Sequence, residues 1–325
     1  MVVLNAQDVK TVGNMARMMA SMRLAFEADV NGLAIIPERI HLQLPDRAGV
    51  GLIMPAFVAR LRDLPSTFAT KFFSVMHGNV ERGIPAFQGA TVLLDSETGV
   101  CKAVIDAAAL TALRTGASCG VATDLFSRPD SEVLAVFGAG PQAMSSLEAI
   151  LTIRSIKRVY VLGRHATRIQ RALSQIAPQV KLIVALPDEM VWAADIVLTA
   201  TNATSPLFDA SALRLGTHIS ALGSFQPGMQ ELPEEAVAKA RVFVDNRAAA
   251  RTCGDLTIPL EHGLIDDAHL VGLVGDVLTG VHPGRRSSDE ITIYKSIGNA
   301  IQDAVAAQTV FLDSLRAGIG QSVEW

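Results

Sequence analysis

Apolar residues recur at helical spacing from 8 to 31, where Met15, Met18, Met19, Met22 and Phe26 fall on one broad stripe. The pattern predicts a single helix whose methionines serve the core rather than a binding surface. After Asn31-Gly32 the period shortens, and 40–44, 51–54 and 69–75 read as strands, the last with Lys71 among apolar neighbours. Apolar runs at 89–95 and 100–105 flank Ser96-Glu97-Thr98-Gly99 and predict a β-hairpin closed by a glycine turn. The alanine-rich stretch 107–126 is helical, and Pro129 stops it. From there short apolar runs at 131–137, 158–162, 181–185, 195–200, 218–222 and 241–245 alternate with helical segments, which argues a doubly wound parallel sheet. A short alternating strand at 291–296 belongs to no βαβ repeat; it feeds a helix from 298 to about 315 with a stripe through Ile301, Val305, Val310 and Leu312. That helix is expected to fold back onto the first domain.

The strand at 131–137 runs into Gly138-Ala139-Gly140-Pro141-Gln142-Ala143. Gly138 permits the tight turn, Gly140 lets backbone N–H groups approach a pyrophosphate, and Ala143 keeps the following helix near the sheet. A dinucleotide site is the reading, supported by the second strand one helix later. That strand ends in Gly163-Arg164-His165-Ala166-Thr167-Arg168, a set of cations and donors without the acid that holds the ribose of NAD. Arg164, His165, Thr167 and Arg168 therefore favour NADP(H) over NAD(H). The alternative is a solvated helix start capped by Thr167. Ligands of such sheets lie at the carboxyl ends of the strands, which puts Thr199-Ala200-Thr201-Asn202 and Leu222-Gly223-Ser224-Phe225 beside the cofactor.

With 325 residues, half of them hydrophobic, the chain can bury a large core and form two domains. Its net charge of −4 gives no basic footprint for nucleic acid, and no polybasic run suggests a membrane tether. Cys101, Cys119 and Cys253 stand far apart, so neither a disulfide framework nor a metal site is indicated. The first residues lack the pattern of a signal peptide and no segment is apolar enough to span a bilayer, so a cytoplasmic protein is expected. Small-molecule chemistry is the default.

Taken together, Lys71, Gly78-Asn79, Leu94-Asp95 with Thr98-Gly99, Leu110-Thr111-Ala112-Leu113-Arg114-Thr115, the 138–143 turn, Gly254-Asp255-Leu256 and Lys295-Ser296-Ile297-Gly298 resemble the ornithine cyclodeaminase/μ-crystallin family. The likeness runs from about Pro37 to the C-terminal helix. It implies an α/β protein with a Rossmann NAD(P)-binding domain at 117–299. A discontinuous α+β domain for substrate binding and dimerisation, 1–116 with 300–325, would complete a homodimer. Carried over by position, Arg39, Lys71 and Arg114 resemble the family's clamp on a substrate carboxylate, with Lys71 as the catalytic candidate and Ile297 among the substrate contacts. A guanidinium can grip a carboxylate through parallel hydrogen bonds, and a lysine adds charge or a proton. The family's cofactor contacts map onto Arg114, Gly138, Ala139, Gly140, Gln142, Ala143, the 199–202 and 222–224 loops and Ser296.

One position departs from the family pattern. Its cyclodeaminases carry an aspartate just before Pro-Gly-x-x-Glu, and here Phe225 stands there, flanked by Ser224 and Gln226. A cyclodeaminase without its proton carrier is impaired, whereas reduction of a preformed cyclic imine needs chiefly orientation. The expected activity is therefore NADPH-preferring reduction of a cyclic imino acid at C2, Δ1-pyrroline-2-carboxylate to L-proline. NADH would serve less well, Δ1-piperideine-2-carboxylate is a second candidate substrate, and Phe225 would line the ring pocket. Alanine dehydrogenase, ornithine cyclodeaminase and a non-catalytic NADPH-binding crystallin relative are the alternatives.

Overall fold

The structure, a computed structural model, describes residues 1–45, 49–247 and 251–324. Two compact units result, Met1–Arg114 with Asn299–Trp325, and Thr115–Gly298.

In the first unit, β1 (Val2–Leu4), β2 (Ala34–Ile35), β3 (Ile40–Gln43), β4 (Gly49–Val58), β5 (Thr67–Met76), β6 (Phe87–Leu94) and β7 (Cys101–Asp106) form one sheet with a short C-terminal strand, Gln321–Ser322. Its order is Gln321–Ser322, β1, β7, β6, β5, β4, β2, with β3 also on β4. β1 runs parallel to β7 and β4 to β7 are antiparallel. Alternation along β5 puts Thr67, Ala69 and Lys71 on a buried face and Phe68 and Phe72 on an open one. Helices Met15–Val30 and Ala300–Ala317 belong to this unit, the latter packed on the former and on β4, β5 and β6. The β6–β7 hairpin is closed by Asp95, which accepts hydrogen bonds from the Thr98 N–H and hydroxyl and from the Glu97 N–H. These bonds hold its carboxyl down at about 2.

The single helix expected over 8–31 is two helices, Ala6–Val12 and Met15–Val30. The break has a local cause: Gly13 closes the first through its N–H to Val9 O, and the Asn14 side chain caps the second by accepting from Arg17 N–H. The stripe of Met15, Met18, Met19, Met22 and Phe26 is nonetheless buried as expected.

The second unit is a parallel sheet of β8 (Val133–Phe137), β9 (Arg158–Val161), β10 (Lys181–Val184), β11 (Ile196–Thr199), β12 (His218–Ala221), β13 (Arg241–Val244), β14 (Leu270–Leu273) and β15 (Thr292–Lys295). The order β10-β9-β8-β11-β12-β15-β13-β14 is that of a doubly wound fold. Here a second expectation is corrected. The 291–296 strand does belong to the repeat's sheet, as β15 inserted in parallel between β12 and β13. All four of its residues are buried, as in a central parallel strand, and no long helix precedes it to reveal the repeat. Among the described residues no helix is long and apolar enough to cross a membrane.

Candidate active site

Lys71 lies mid-strand in β5, paired with Met54 on β4 and Thr91 on β6, on the face that the C-terminal helix covers. Only 2% of it is exposed. Its Nζ is 2.7 Å from Asp303 Oδ2, in the first turn of helix Ala300–Ala317. The other oxygen of that carboxylate accepts from Arg114 Nε at 3.0 Å, and Arg114 Nη1 donates to Gln302 Oε1 at 2.7 Å. Arg114 Nη2 donates no hydrogen bond among the described residues. Arg39, just ahead of β3, continues the pairing Ile40↔Ile53 onto the row of Met54 and Lys71, and its charge acts on Lys71. The structure thus joins two of the three predicted cations, Lys71 and Arg114, on one buried carboxylate, with the charge of Arg39 acting on Lys71.

Burial lowers the Lys71 pKa to about 8; Asp303 opposes the shift, and the Arg114 and Arg39 charges add to it. Burial pushes the Asp303 carboxyl up, but Arg114 and Lys71 outweigh it and hold the group below the usual range. Beside the cluster Lys71 Nζ sits 4.9 Å from the centre of the Phe73 ring, which stacks on Phe87 at 4.6 Å. Cationic donors thus stand against an aromatic wall, an arrangement that suits a carboxylate attached to a flat ring.

In the second unit the 138–143 turn has the features a pyrophosphate needs. Gly138 adopts φ +111°, and a Cβ there would stand 2.4 Å from the Ala200 carbonyl oxygen. At Gly140, the N-cap of helix Pro141–Ile153, a Cβ would meet nothing within 4 Å, and no side chain caps the helix. An uncapped N-terminus with open space above it fits the diphosphate of a dinucleotide. Ala143 is buried, so the helix starts close to the sheet, and Ala139 is nearly so, with Gln142 half-buried beside them.

Helix Gly163–Ile176 begins at Gly163 with Leu162 at its N-cap, so Thr167 lies inside it and does not cap it. Arg164, Thr167 and Arg168 are exposed on its first turns, and Arg164 Nε donates to His165 Nε2 at 3.2 Å. Partial burial and the Arg164 charge both lower the His165 pKa.

The two loops predicted beside the cofactor are joined by a residue to which sequence reasoning assigned no role. Glu231, fully buried, accepts from Thr199 Oγ1, Thr201 N, Thr201 Oγ1 and Gly223 N at 2.7–2.8 Å. Burial pushes its carboxyl up, opposed by the Lys295 charge. Asp255 accepts from the N–H groups of Glu231 and Leu232 and pairs with Lys295 Nζ at 2.9 Å, so the Gly254-Asp255-Leu256 and Lys295-Ser296-Ile297-Gly298 motifs meet. Although burial lowers it, the Lys295 pKa ends up raised, Asp255 being the main cause. Asp245, at the end of β13, accepts from Ser296 Oγ, Ile297 N and Gly298 N.

Thr201 and Ser296 are therefore tied into the protein, whereas Asn202 is exposed and Leu222 buried. Ser224 Oγ donates to Met229 O, and Phe225 beside it is 39% exposed. Asp303 and Gln302 were legible only as polar interruptions in an alanine-rich apolar helix. Glu231 stands in the Pro-Gly-x-x-Glu stretch, which sequence reading used only to locate Phe225.

Comparison with known proteins supplies the family. The model of the ornithine cyclodeaminase/mu-crystallin family matches residues 1–318. A Delta(1)-pyrroline-2-carboxylate reductase of Bacillus cereus (strain ZK / E33L) is 32% identical over 330 aligned positions, all of this chain and all of that protein. An alanine dehydrogenase of Archaeoglobus fulgidus is 30% identical, covering 99% of this chain and 98% of that one. Among solved structures, the Thermococcus litoralis Delta(1)-pyrroline-2-carboxylate reductase in complex with NADH and L-proline superposes with a TM-score of 0.92 at 30% identity, over 99% of this chain and 100% of that one. The chain belongs to the ornithine cyclodeaminase/mu-crystallin family.

Proposed function

We propose that this protein is an NADPH-preferring reductase of cyclic 2-imino acids, converting Δ1-pyrroline-2-carboxylate to L-proline and accepting Δ1-piperideine-2-carboxylate as a homologue. The observation that carries this reading is Lys71 and Arg114, held by one buried carboxylate beside the Phe73–Phe87 stack. A bound nicotinamide supplies the hydride. Arg114 and Arg39 grip the substrate carboxylate, and protonated Lys71 orients it and hydrogen-bonds near the imine nitrogen. Phe225 brings no proton carrier, in keeping with a reaction that begins from an imine already formed. The reductases of B. cereus and T. litoralis support the substrate class.

Arg164 and Arg168 support the 2′-phosphorylated cofactor, since exposed guanidinium groups at that helix start are suited to a phosphate. The 117–299 stretch is read as the cofactor domain, and 1–116 with 300–325 as the substrate and dimerisation domain. A cytoplasmic location accords with three free cysteines.

The test is oxidation of NADPH and of NADH with each cyclic imine and with pyruvate plus ammonia. Fast turnover of a cyclic imine, with NADPH preferred and pyruvate slow, is the expected result. Ammonia-dependent turnover of pyruvate exceeding that of both imines would replace this reading with an alanine dehydrogenase.

A homodimer is part of the same proposal. On the open face of the first sheet Ile40, Phe68 and Phe72 are 51%, 38% and 50% exposed, with Ile53, Pro55 and Val92 half-buried among them. A contiguous apolar sheet face of this kind calls for a partner, and the related archaeal alanine dehydrogenase is a dimer. Phe72→Glu is expected to convert the dimer to monomer in light scattering; a variant that stays dimeric at the same concentration would move the interface elsewhere.

A further inference from the structure

We propose that Asp303 is the positioning residue of this site: its one carboxylate sets the spacing of Lys71 and Arg114 and supplies their counter-charge, so that their remaining N–H groups face a substrate carboxylate. The inference rests on the proposed function and concerns a residue outside the clamp of Arg39, Lys71 and Arg114. Its ground is geometric. Oδ1 takes Arg114 Nε at 3.0 Å while Oδ2 takes Lys71 Nζ at 2.7 Å, so the aspartate fixes two cations that are 43 positions apart in sequence. Gln302, one residue earlier, holds a second Arg114 nitrogen, and helix Ala300–Ala317 carries both anchors.

Two cations, Lys71 and Arg114, share the single carboxylate of Asp303, which leaves a net positive charge on that group where a carboxylate is to bind. Arg114 is fixed through Nε and Nη1, so the edge of its guanidinium carrying Nη2 is the one left for substrate. The groups acting on Lys71 are Asp303 from the C-terminal helix, Arg114 from helix Ala107–Phe126 and Arg39 from the segment before β3. Helix Met15–Val30, packed on the C-terminal helix, brings Asp29, which accepts from Asn299 Nδ2 at 3.2 Å. Of the three groups acting on Lys71, Asp303 is the one that favours the charged lysine, and without it Lys71 sheds its proton at lower pH.

The probe is pyrrole-2-carboxylate, a planar five-membered carboxylate whose affinity for the NADPH-loaded protein is measured by calorimetry across pH. Its binding does not depend on turnover, so a failure of the proposed reaction and a failure of this inference are separate results. Wild type should bind the probe tightly below about pH 8 and more weakly above it, following Lys71. Asp303→Asn is expected to bind roughly tenfold or more weakly, with the pH midpoint about one unit lower and NADPH affinity unchanged. Asp303→Glu keeps the charge but shifts its position, and should bind weakly with the midpoint in place. Wild-type affinity and an unmoved midpoint in Asp303→Asn would overturn the proposal. If that variant does not fold, wild-type affinity in Asp303→Glu overturns it equally, because spacing is what is claimed.

Discussion

Lys71→Met loses about a thousandfold or more in kcat/KM for the cyclic imine, while NADPH binds as in the wild type. The substitution keeps the length of the side chain and removes its charge. Asp303 keeps Arg114 Nε on Oδ1 while Oδ2 loses its ion pair, so a fall in Tm accompanies the substitution and undiminished NADPH binding is the control that the protein is folded. What disappears is the buried cation that the proposed clamp turns to the substrate's carboxylate. Lys71→Arg does not restore activity, since a planar fork cannot take the place of a compact ammonium beside the Phe73 ring. The wild-type pH profile carries the same signature. In the proposed mechanism protonated Lys71 is the working form, and burial lowers its pKa to about 8, so kcat/KM is expected to decline as the pH rises through that value, and the decline to be absent from whatever activity Lys71→Met retains. Parallel loss of NADPH affinity, measured by fluorescence titration, would contradict the assignment. So would an alkaline decline that persists in the variant.

Glu231→Gln has the second large effect, and it falls on the other unit. Four donors converge on this carboxylate, from the ends of β11 and β12, and every one requires an acceptor. A glutamine presents an NH2 group to at least one of them, replacing attraction by a donor–donor contact at a fully buried position. The loss is roughly 3 kcal/mol, read as a fall of about 10 °C in Tm. NADPH affinity falls with it, because the 199–202 and 222–224 loops lose the strap that holds them in register. A Tm within 2 °C of wild type, in a range where a surface substitution would fall, would show that the strap is not what orders those loops.

Strong periodicity made most of the Rossmann strands and helix Ala107–Phe126 readable, because a parallel strand buried on both faces is a dense apolar run bounded by turn residues. Where elements are very short the information is absent: β1, β2 and Gln321–Ser322 span too few residues for alternation to register. β14 lay hidden between short helical pieces, and Gly13-Asn14 was invisible within a long apolar stripe although both residue types are cap formers. The candidate site divides along similar lines. Lys71 stood out as a charge inside an apolar strand, and Gly138 and Gly140 by their fixed offset. Their supports did not. Glu231, Asp245, Asp255 and Asp303 act through partners up to 232 positions away in sequence, and one acidic residue in a helix or loop looks like any other until the chain is folded.

The discontinuity of the first unit has a temporal side. Asp303 and helix Ala300–Ala317 leave the ribosome after the whole of Thr115–Gly298, so the Rossmann unit can fold while the first sheet still lacks the helix that covers its buried face. Until then Lys71 and Arg114 repel one another with no anion between them, and the sheet exposes apolar surface on both sides. Closure of a site whose halves are synthesised so far apart makes the last helix a checkpoint on the newborn chain. A ribosome-stalled chain ending before Asn299 is accordingly the species expected to bind a chaperone more strongly than the finished one.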